Sequence, residues 1–316
     1  MKPIGAMTSD DLLDRLQQWS SQPEPCKVAD LDSETEFTYV TETTHGDALQ
    51  AATAAVALVD AVCGEVHDQP TGASSAGPLP HASVGFGLIR PPGHHATRNE
   101  VSGFCMLNNI AIAARHAQTA HSIDKVMIVD FDVHHGNGTQ DAFYSDPNVL
   151  FVDMHEQGVW PGSGNAEETG AGLGIGTTIN IPLPVGSGDA AARLAWHSLV
   201  APAARRFQPG LLLVSAGYDA HWRDPLEKQQ FQSSTYHFLT QQLKALADEL
   251  CGGKLLLLLE GGYSLQGLSE GAAESICAIL GGGSCHLDQP GIQEPLDEVL
   301  ACVKALQALH GLLEAA

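Results

Sequence analysis

Long apolar runs are missing from this 316-residue chain: nothing approaches the roughly 18 to 20 residues a membrane span needs. Hydrophobic residues still make up 44% and charged ones 16%, enough apolar material for a sizeable core, so a soluble globular protein is expected. Basic residues are scarce. Fifteen Lys and Arg stand against 37 Asp and Glu, a formal net charge of −22. Such a field repels phosphate backbones, which argues against direct nucleic-acid binding, and it attracts cationic partners. Cysteine pairs are absent as well. The seven cysteines (26, 63, 105, 251, 277, 285 and 302) form no C-x-x-C and their number is odd. This suits free thiols in a reducing, intracellular compartment better than a disulfide framework, without separating cytoplasm, nucleus or plastid. The first residues, MKPIGAMTSDDLLDRLQQW, carry no secretory apolar segment and are too acidic for a transit peptide, so no address is expected there.

Residues 1 to about 36 are polar apart from a short amphipathic piece (Leu12, Leu13, Leu16, Trp19), which predicts an N-terminal extension. From about residue 37 to 316 the rhythm is regular and a single domain is expected. An Ala/Val/Leu-rich helix over about 47–66 precedes a Pro/Gly/Ser loop at 69–82 and an apolar strand near 83–90. Helical patterns near 107–121, 189–207, 233–250, 267–280 and 295–313 then alternate with KVMIVDFD, NVLFVDMH, TTINIPL, LLLVSAGYD and KLLLLLEGGY. Continuous apolar strands separated by helices predict an α/β fold with a central, mostly parallel sheet flanked by helices on both faces.

In such sheets, sites form beyond the carboxyl ends of the strands. Asp132 and His134 end one strand, Asp219 ends another and Tyr263 follows a third. Two carboxylates and an imidazole make a three-ligand metal set with a position left open, as hydrolytic zinc sites require; strand-end caps or buried core residues would explain the same letters. RPPGHHA (90–96) adds the adjacent His94 and His95 on a stiff turn, where neighbouring imidazoles can divide proton transfer from charge stabilisation. Tyr263, in EGGY, offers a phenol that can donate to a developing oxyanion, or simply packs as an aromatic.

Together, RPPGHHA, GFCMLNNIAIAA (103–114), VDFDVHHGNGTQ (129–140), WPGSG (160–164), VSAGYDAHWRDPL (214–226) and LEGGY (259–263) resemble the zinc-dependent histone deacetylase family. The likeness is to its class II-like branch, which includes bacterial and plastid-type members. The resemblance implies an arginase/deacetylase fold and one catalytic Zn2+ held by Asp132, His134 and Asp219. It implies His95 as the base acting on a zinc-activated water, with His94 and Asp130 in electrostatic support and Tyr263 polarising the amide carbonyl. Asn137 stands where class I members carry an Asp, leaving His95 a neutral partner. Phe104 and Trp160, with Gly103 on the wall and Leu226 at the mouth, match the tunnel around acyl-lysine, Trp160 replacing a more usual Phe. A structural K+ is also implied, at Asp130, Asp132, His134 and Met154, with Asp153 where many relatives have Ser. For His135 only a structural role is expected.

The implied reaction is removal of acetyl groups from acetyl-lysine of proteins or from a small acetylated amine. Arginase-type relatives need D-x-H-x-D for two manganese ions, whereas Gly136 holds the fifth position here. Acetylpolyamine deacetylases carry Glu where this chain has Leu226. A non-catalytic acyl-lysine-binding or scaffold member of the same fold is the alternative from another class. The family's H-P-E-x-x-x-R opening segment has no counterpart in residues 1–36.

Overall fold

The computed structural model describes residues 2–22, 24–28, 38–64, 82–285 and 293–312. Two short helices, α1 (Lys2–Met7) and α2 (Asp10–Ser20), are followed by an antiparallel ribbon of β1 (Cys26–Val28) and β2 (Thr38–Val40). The long helix α3 (Thr44–Cys63) leads to β3 (Val84–Gly87), α4 (Asn109–Ala120), β4 (Val126–Asp130), α5 (Asn137–Phe143), β5 (Val149–Glu156) and β6 (Thr178–Leu183). Helix α6 (Asp189–Ala195) runs through a π turn at Trp196–Val200 into α7 (Ala201–Phe207). Then come β7 (Leu211–Ala216), α8 (Ser233–Cys251), β8 (Leu255–Leu259), α9 (Leu265–Ile279) and α10 (Leu296–His310).

Strands β3 to β8 form one sheet in the order β3-β8-β7-β4-β5-β6, parallel at every pairing. Every residue of β4, β5, β7 and β8 is buried, the outcome expected for apolar runs covered on both faces. Side chains alternate across a strand, so β4 feeds two cores. Met127 and Val129 pack with Trp196, Leu239 and Leu243, while Val126 and Ile128 pack with Ile110, Ala114 and Val59. Helices therefore cover both faces of a single domain.

The expected boundary at residue 36 falls within 29–37, outside the described residues, as does most of the loop at 69–82. Before that boundary, α1 and α2 bury Ile4, Met7, Leu12 and Leu16 in the same core as α3 and α4. Ser9 caps α2, its hydroxyl accepting from Leu12 N. Contrary to the expectation that nothing approaches the length of a membrane span, helix α3 is long and apolar enough to cross one by length and composition, because its small apolar residues are interrupted by few charges. Its Ala48, Ala52, Ala55, Val59 and Val62 instead recur at helical spacing and pack into this core. All seven cysteines are free thiols.

Candidate active site

Four neighbouring strands, β3, β8, β7 and β4, deliver their following loops to one rim. Asp130 ends β4, and the backbone then turns so that Asp132, His134 and Asp219, from beyond β7, converge. Their ligand atoms all lie within 4.8 Å of one another. His134 Nδ1 is 3.2 Å from Asp132 Oδ1 and 3.2 Å from Asp219 Oδ2. The other carboxylate oxygens are anchored by backbone: Asp219 Oδ1 accepts from Val133 N (2.9 Å) and Asp132 Oδ2 from Gly261 N (2.8 Å).

A divalent cation fits this donor set. Asp219 Oδ2 is buried and, apart from its 3.2 Å contact with His134 Nδ1, which lacks hydrogen-bond geometry, it has no partner, a state that native interiors rarely tolerate. Burial and the Asp132 carboxylate push the Asp219 carboxyl up to about 6, so two acids this close call for a positive charge between them. Glycines make the room. A Cβ at Gly217 would collide with Asp132 Oδ2, and one at Gly261 would collide with Asp219 Oδ2.

Beside this cluster the two histidines of the β3 loop lie with ring centroids 3.9 Å apart, tilted 42° to each other. His94 Nδ1 is 3.0 Å from Asp130 Oδ2, and His95 Nδ1 is 2.8 Å from Asn137 Oδ1. Burial opposes charge on His94, but the Asp130, Asp132 and Glu260 carboxylates outweigh it and hold its pKa well above the ordinary imidazole value. Burial, reinforced by the neighbouring His94 and His134, holds His95 well below it. One ring of the pair thus favours the cation and the other the neutral base.

Tyr263 follows β8, its ring 6.0 Å from that of Phe104. Burial, then the Asp219 and Asp132 carboxylates, drive its phenol pKa far upward, so the hydroxyl stays a neutral donor. Trp160 meets His95 edge-on at 4.6 Å and His134 at 6.1 Å. Gly103, at φ +52°, lies where a side chain would strike the His95 ring and Trp160. Phe104 holds φ +65° and is 38% exposed, which leaves its ring accessible from solvent. Leu226 is exposed and its N–H binds Asp224 Oδ1.

Among the residues the resemblance assigns to K+, Asp130 and Asp153 are in register on adjacent β4 and β5. A Cβ at Gly136 would lie 2.6 Å from Asp130 Oδ2 and 3.3 Å from Asp153 Oδ2, so both carboxylates converge there. Asp153 also accepts from Gly136 N (2.8 Å) and contacts His155 Nδ1 (2.7 Å). Met154, next to it, is buried. His135 bonds Ser163 Oγ and Gln140 Oε1 through its two nitrogens, a wholly structural set of contacts.

Three residues escaped the sequence reading. Glu260 is buried beneath the histidine loop, Oε2 accepting from Gly93 N (2.6 Å) and His94 N (3.1 Å). Asp224 Oδ2 accepts from Tyr263 N (2.7 Å) and Ser264 N (3.0 Å), fixing the turn that carries the phenol. Glu227 brings a carboxylate to 3.6 Å from His134 Nε2. The first two lie inside quoted motifs, so their letters were in view, but a backbone-accepting carboxylate leaves no periodic trace.

Residues 2–279 match the family description "Histone deacetylase domain". Histone deacetylase 10, chloroplastic, of Oryza sativa subsp. japonica is 47% identical over 279 residues, covering 87% of this chain and 61% of that protein. Histone deacetylase 14, chloroplastic, of Arabidopsis thaliana is 46% identical over 277 residues, covering 86% of this chain and 63% of that protein. The chain thus spans about three fifths of the length of these two relatives. The crystal structure of the HDA15 HD domain superposes with a TM-score of 0.81 at 32% identity, covering 98% of this chain and 78% of that one. Motif order, sheet topology and a match across almost the whole described chain agree, and the chain belongs to the histone deacetylase family.

Proposed function

We propose that this chain is a zinc-dependent amidohydrolase that removes acetyl groups from acetyl-lysine of proteins or from a small acetylated amine. The observation that carries the reading is the convergence of Asp132, His134 and Asp219 within 4.8 Å beside a histidine pair of opposite proton preference. A Zn2+ ion held by these three would supply Lewis acidity to the amide carbonyl and to the attacking water. The remaining chemistry belongs to side chains. Asn137 Oδ1 accepts a hydrogen bond from His95 Nδ1–H, which leaves Nε2 with a free lone pair to take a proton from water and return it to the departing amine. His94 shares its Nδ1 proton with Asp130 and keeps positive charge near the developing oxyanion. The Tyr263 hydroxyl donates to that oxyanion without ionising. Phe104 and Trp160, spaced by Gly103, suit an extended methylene chain.

A structural K+ at the Asp130 carboxylate would offset two buried acids in register, Asp130 and Asp153, and Asp153 would add a ligand beyond the family pattern. The retained phenol and the neutral His95 favour hydrolysis over acyl-lysine binding without turnover. Tyr263→Phe should lose most turnover on a fluorogenic acetyl-lysine peptide while keeping its zinc; full retained activity removes this mechanism. Acetate release that a hydroxamate blocks separates hydrolysis from mere binding. Glu227 favours a second reading, an acetylpolyamine substrate, because it puts a carboxylate beside His134 one residue after the position where such enzymes carry Glu. Comparing acetylpolyamines with acetyl-lysine peptides on wild type and Glu227→Gln decides between them. The reducing intracellular compartment expected from the free thiols belongs to the same proposal.

A further inference from the structure

We infer that Asp60, His116 and His121 form a second divalent-cation site, on the surface between α3 and α4, suited to a borderline metal such as Zn2+, Ni2+ or Cu2+. Asp60 lies in the last turn of α3, His116 on α4, and His121 immediately after α4. Both imidazoles present the same atom to the same oxygen: His116 Nε2 is 2.6 Å and His121 Nε2 2.8 Å from Asp60 Oδ1. Their rings meet at 82° with centroids 5.5 Å apart, edges converging on the carboxylate. The three donor atoms fall within the same 4.8 Å span as those of the deep cluster.

Two features set this apart from an ordinary surface ion pair. The first is donor type. Two imidazole nitrogens and one carboxylate oxygen are a ligand set that Zn2+, Ni2+ and Cu2+ favour, and three protein ligands leave positions for water. Without a cation, one oxygen must accept from two ring N–H groups; with one, both Nε2 lone pairs and the carboxylate point at the ion. The second feature is rigidity. The His116 and His121 side chains are only 12% and 16% exposed, and the backbone beneath them is packed through Ala113, Ala114 and Ala117. The His121 N–H closes α4 on Ala117 O at 3.1 Å. Asp60, 54% exposed, is free to adjust its rotamer to ligand distances. Helix α4 starts at the deep site and runs away from it, so His116 lies roughly 10 Å further along the axis. An ion here would clamp the end of α3 to the end of α4 rather than serve the reaction.

The test strips the full chain with a chelator and titrates Zn2+ by equilibrium dialysis with elemental analysis. Wild type should hold one ion more than His116→Ala/His121→Ala, and Co2+ should give a ligand-field spectrum at that second equivalent which the variant lacks. Excess Zn2+ should raise the melting temperature of wild type more than that of the variant. His116→Gln/His121→Gln, checked by circular dichroism, repeats the comparison with rings replaced by amides of similar reach. His134→Ala, which empties the deep cluster, should keep the Asp60 ion. Equal ion counts and equal thermal shifts in wild type and both double variants would overturn the site. The difference of one ion is read whether or not the deep cluster fills, so failure here and failure of the hydrolase reading are separate results.

Discussion

Gly261→Ala tests the architecture of the proposed metal site at a residue that is neither ligand nor acid. Its added Cβ would lie 2.7 Å from Asp132 Oδ2 and closer still to Asp219 Oδ2, whereas ordinary contact begins at 3.4 Å. Asp132 must therefore retreat by about 0.7 Å and Asp219 by more, against a tolerance of about 0.2 Å for a metal–ligand distance. Neither acid can retreat freely. Asp219 Oδ1 is tied to Val133 N, and Asp132 Oδ1 to His134 N at 3.0 Å. The variant should fold with an overpacking cost of about 1–3 kcal/mol. It should bind Zn2+ weakly, and because a misplacement near 1 Å costs on the order of 100-fold, its kcat/KM should fall by about that factor or more. Gly283→Ala, where nothing lies within 4 Å of the added carbon, is the matched control. Zinc content by elemental analysis and turnover of an acetyl-lysine peptide are the readouts. A Gly261→Ala protein with wild-type zinc affinity and turnover would refute the claim that this glycine keeps the ligand cradle open.

Glu260→Ala should leave three buried donors, Gly93 N, His94 N and Ser215 Oγ, without their acceptor, at about 1–3 kcal/mol each. Thermal melting should drop clearly and kcat should fall with KM little changed, as the histidine loop loosens; an unchanged kcat would show that the loop needs no such anchor. Asn137→Asp gives His95 an anionic partner and should raise its pKa. A base works only when unprotonated, so activity should be lost at a higher pH on descending: the acid limb of kcat/KM moves upward, and an unmoved limb would exclude His95 as the base. Leu12→Ala, fully buried in α2, should cost about 2–5 kcal/mol in a single unfolding transition. An unaltered midpoint would show that α2 melts apart from the domain.

Strand runs and motif residues were legible because their physics is local. KVMIVDFD announces a doubly buried strand by the unbroken apolar run of residues 126–129, and the acids that follow mark the strand end where a site forms. Asp132, His134 and Asp219 could be grouped because the ends of β4 and β7 in a parallel sheet share one rim. Long-range complementarity was not legible. Leu12 and Leu16 occupy a four-residue spacing in a polar segment, too short a pattern to reveal that α3 and α4 supply the other half of their core. Glu260 and Asp224 accept backbone N–H groups, which nearly every residue carries, so no letter in the sequence marks the partnership. Asp60 meets His116 and His121 only because α3 packs on α4, and a separation of 56 residues hides the pair from any local pattern. The helix expected over 189–207 has the right span, but the π turn at Trp196–Val200 adds a residue to one turn, which letters alone do not mark.

The sheet order carries a consequence for how this catalyst comes into being. β8 pairs with β3 on one side and β7 on the other, so the β3 loop with its two histidines has no place beside the ligand cluster until the five leucines of β8 slot between them. Because β8 is the last of the sheet strands to be synthesised, a nascent chain carries Asp132, His134 and Asp219 for some 40 residues before the histidine pair and Tyr263 can be placed beside them, by the spacing from Asp219 to Tyr263. Under the proposed function, turnover should therefore wait until the sheet closes, and a fragment ending before residue 255 should release no acetate from an acetyl-lysine peptide.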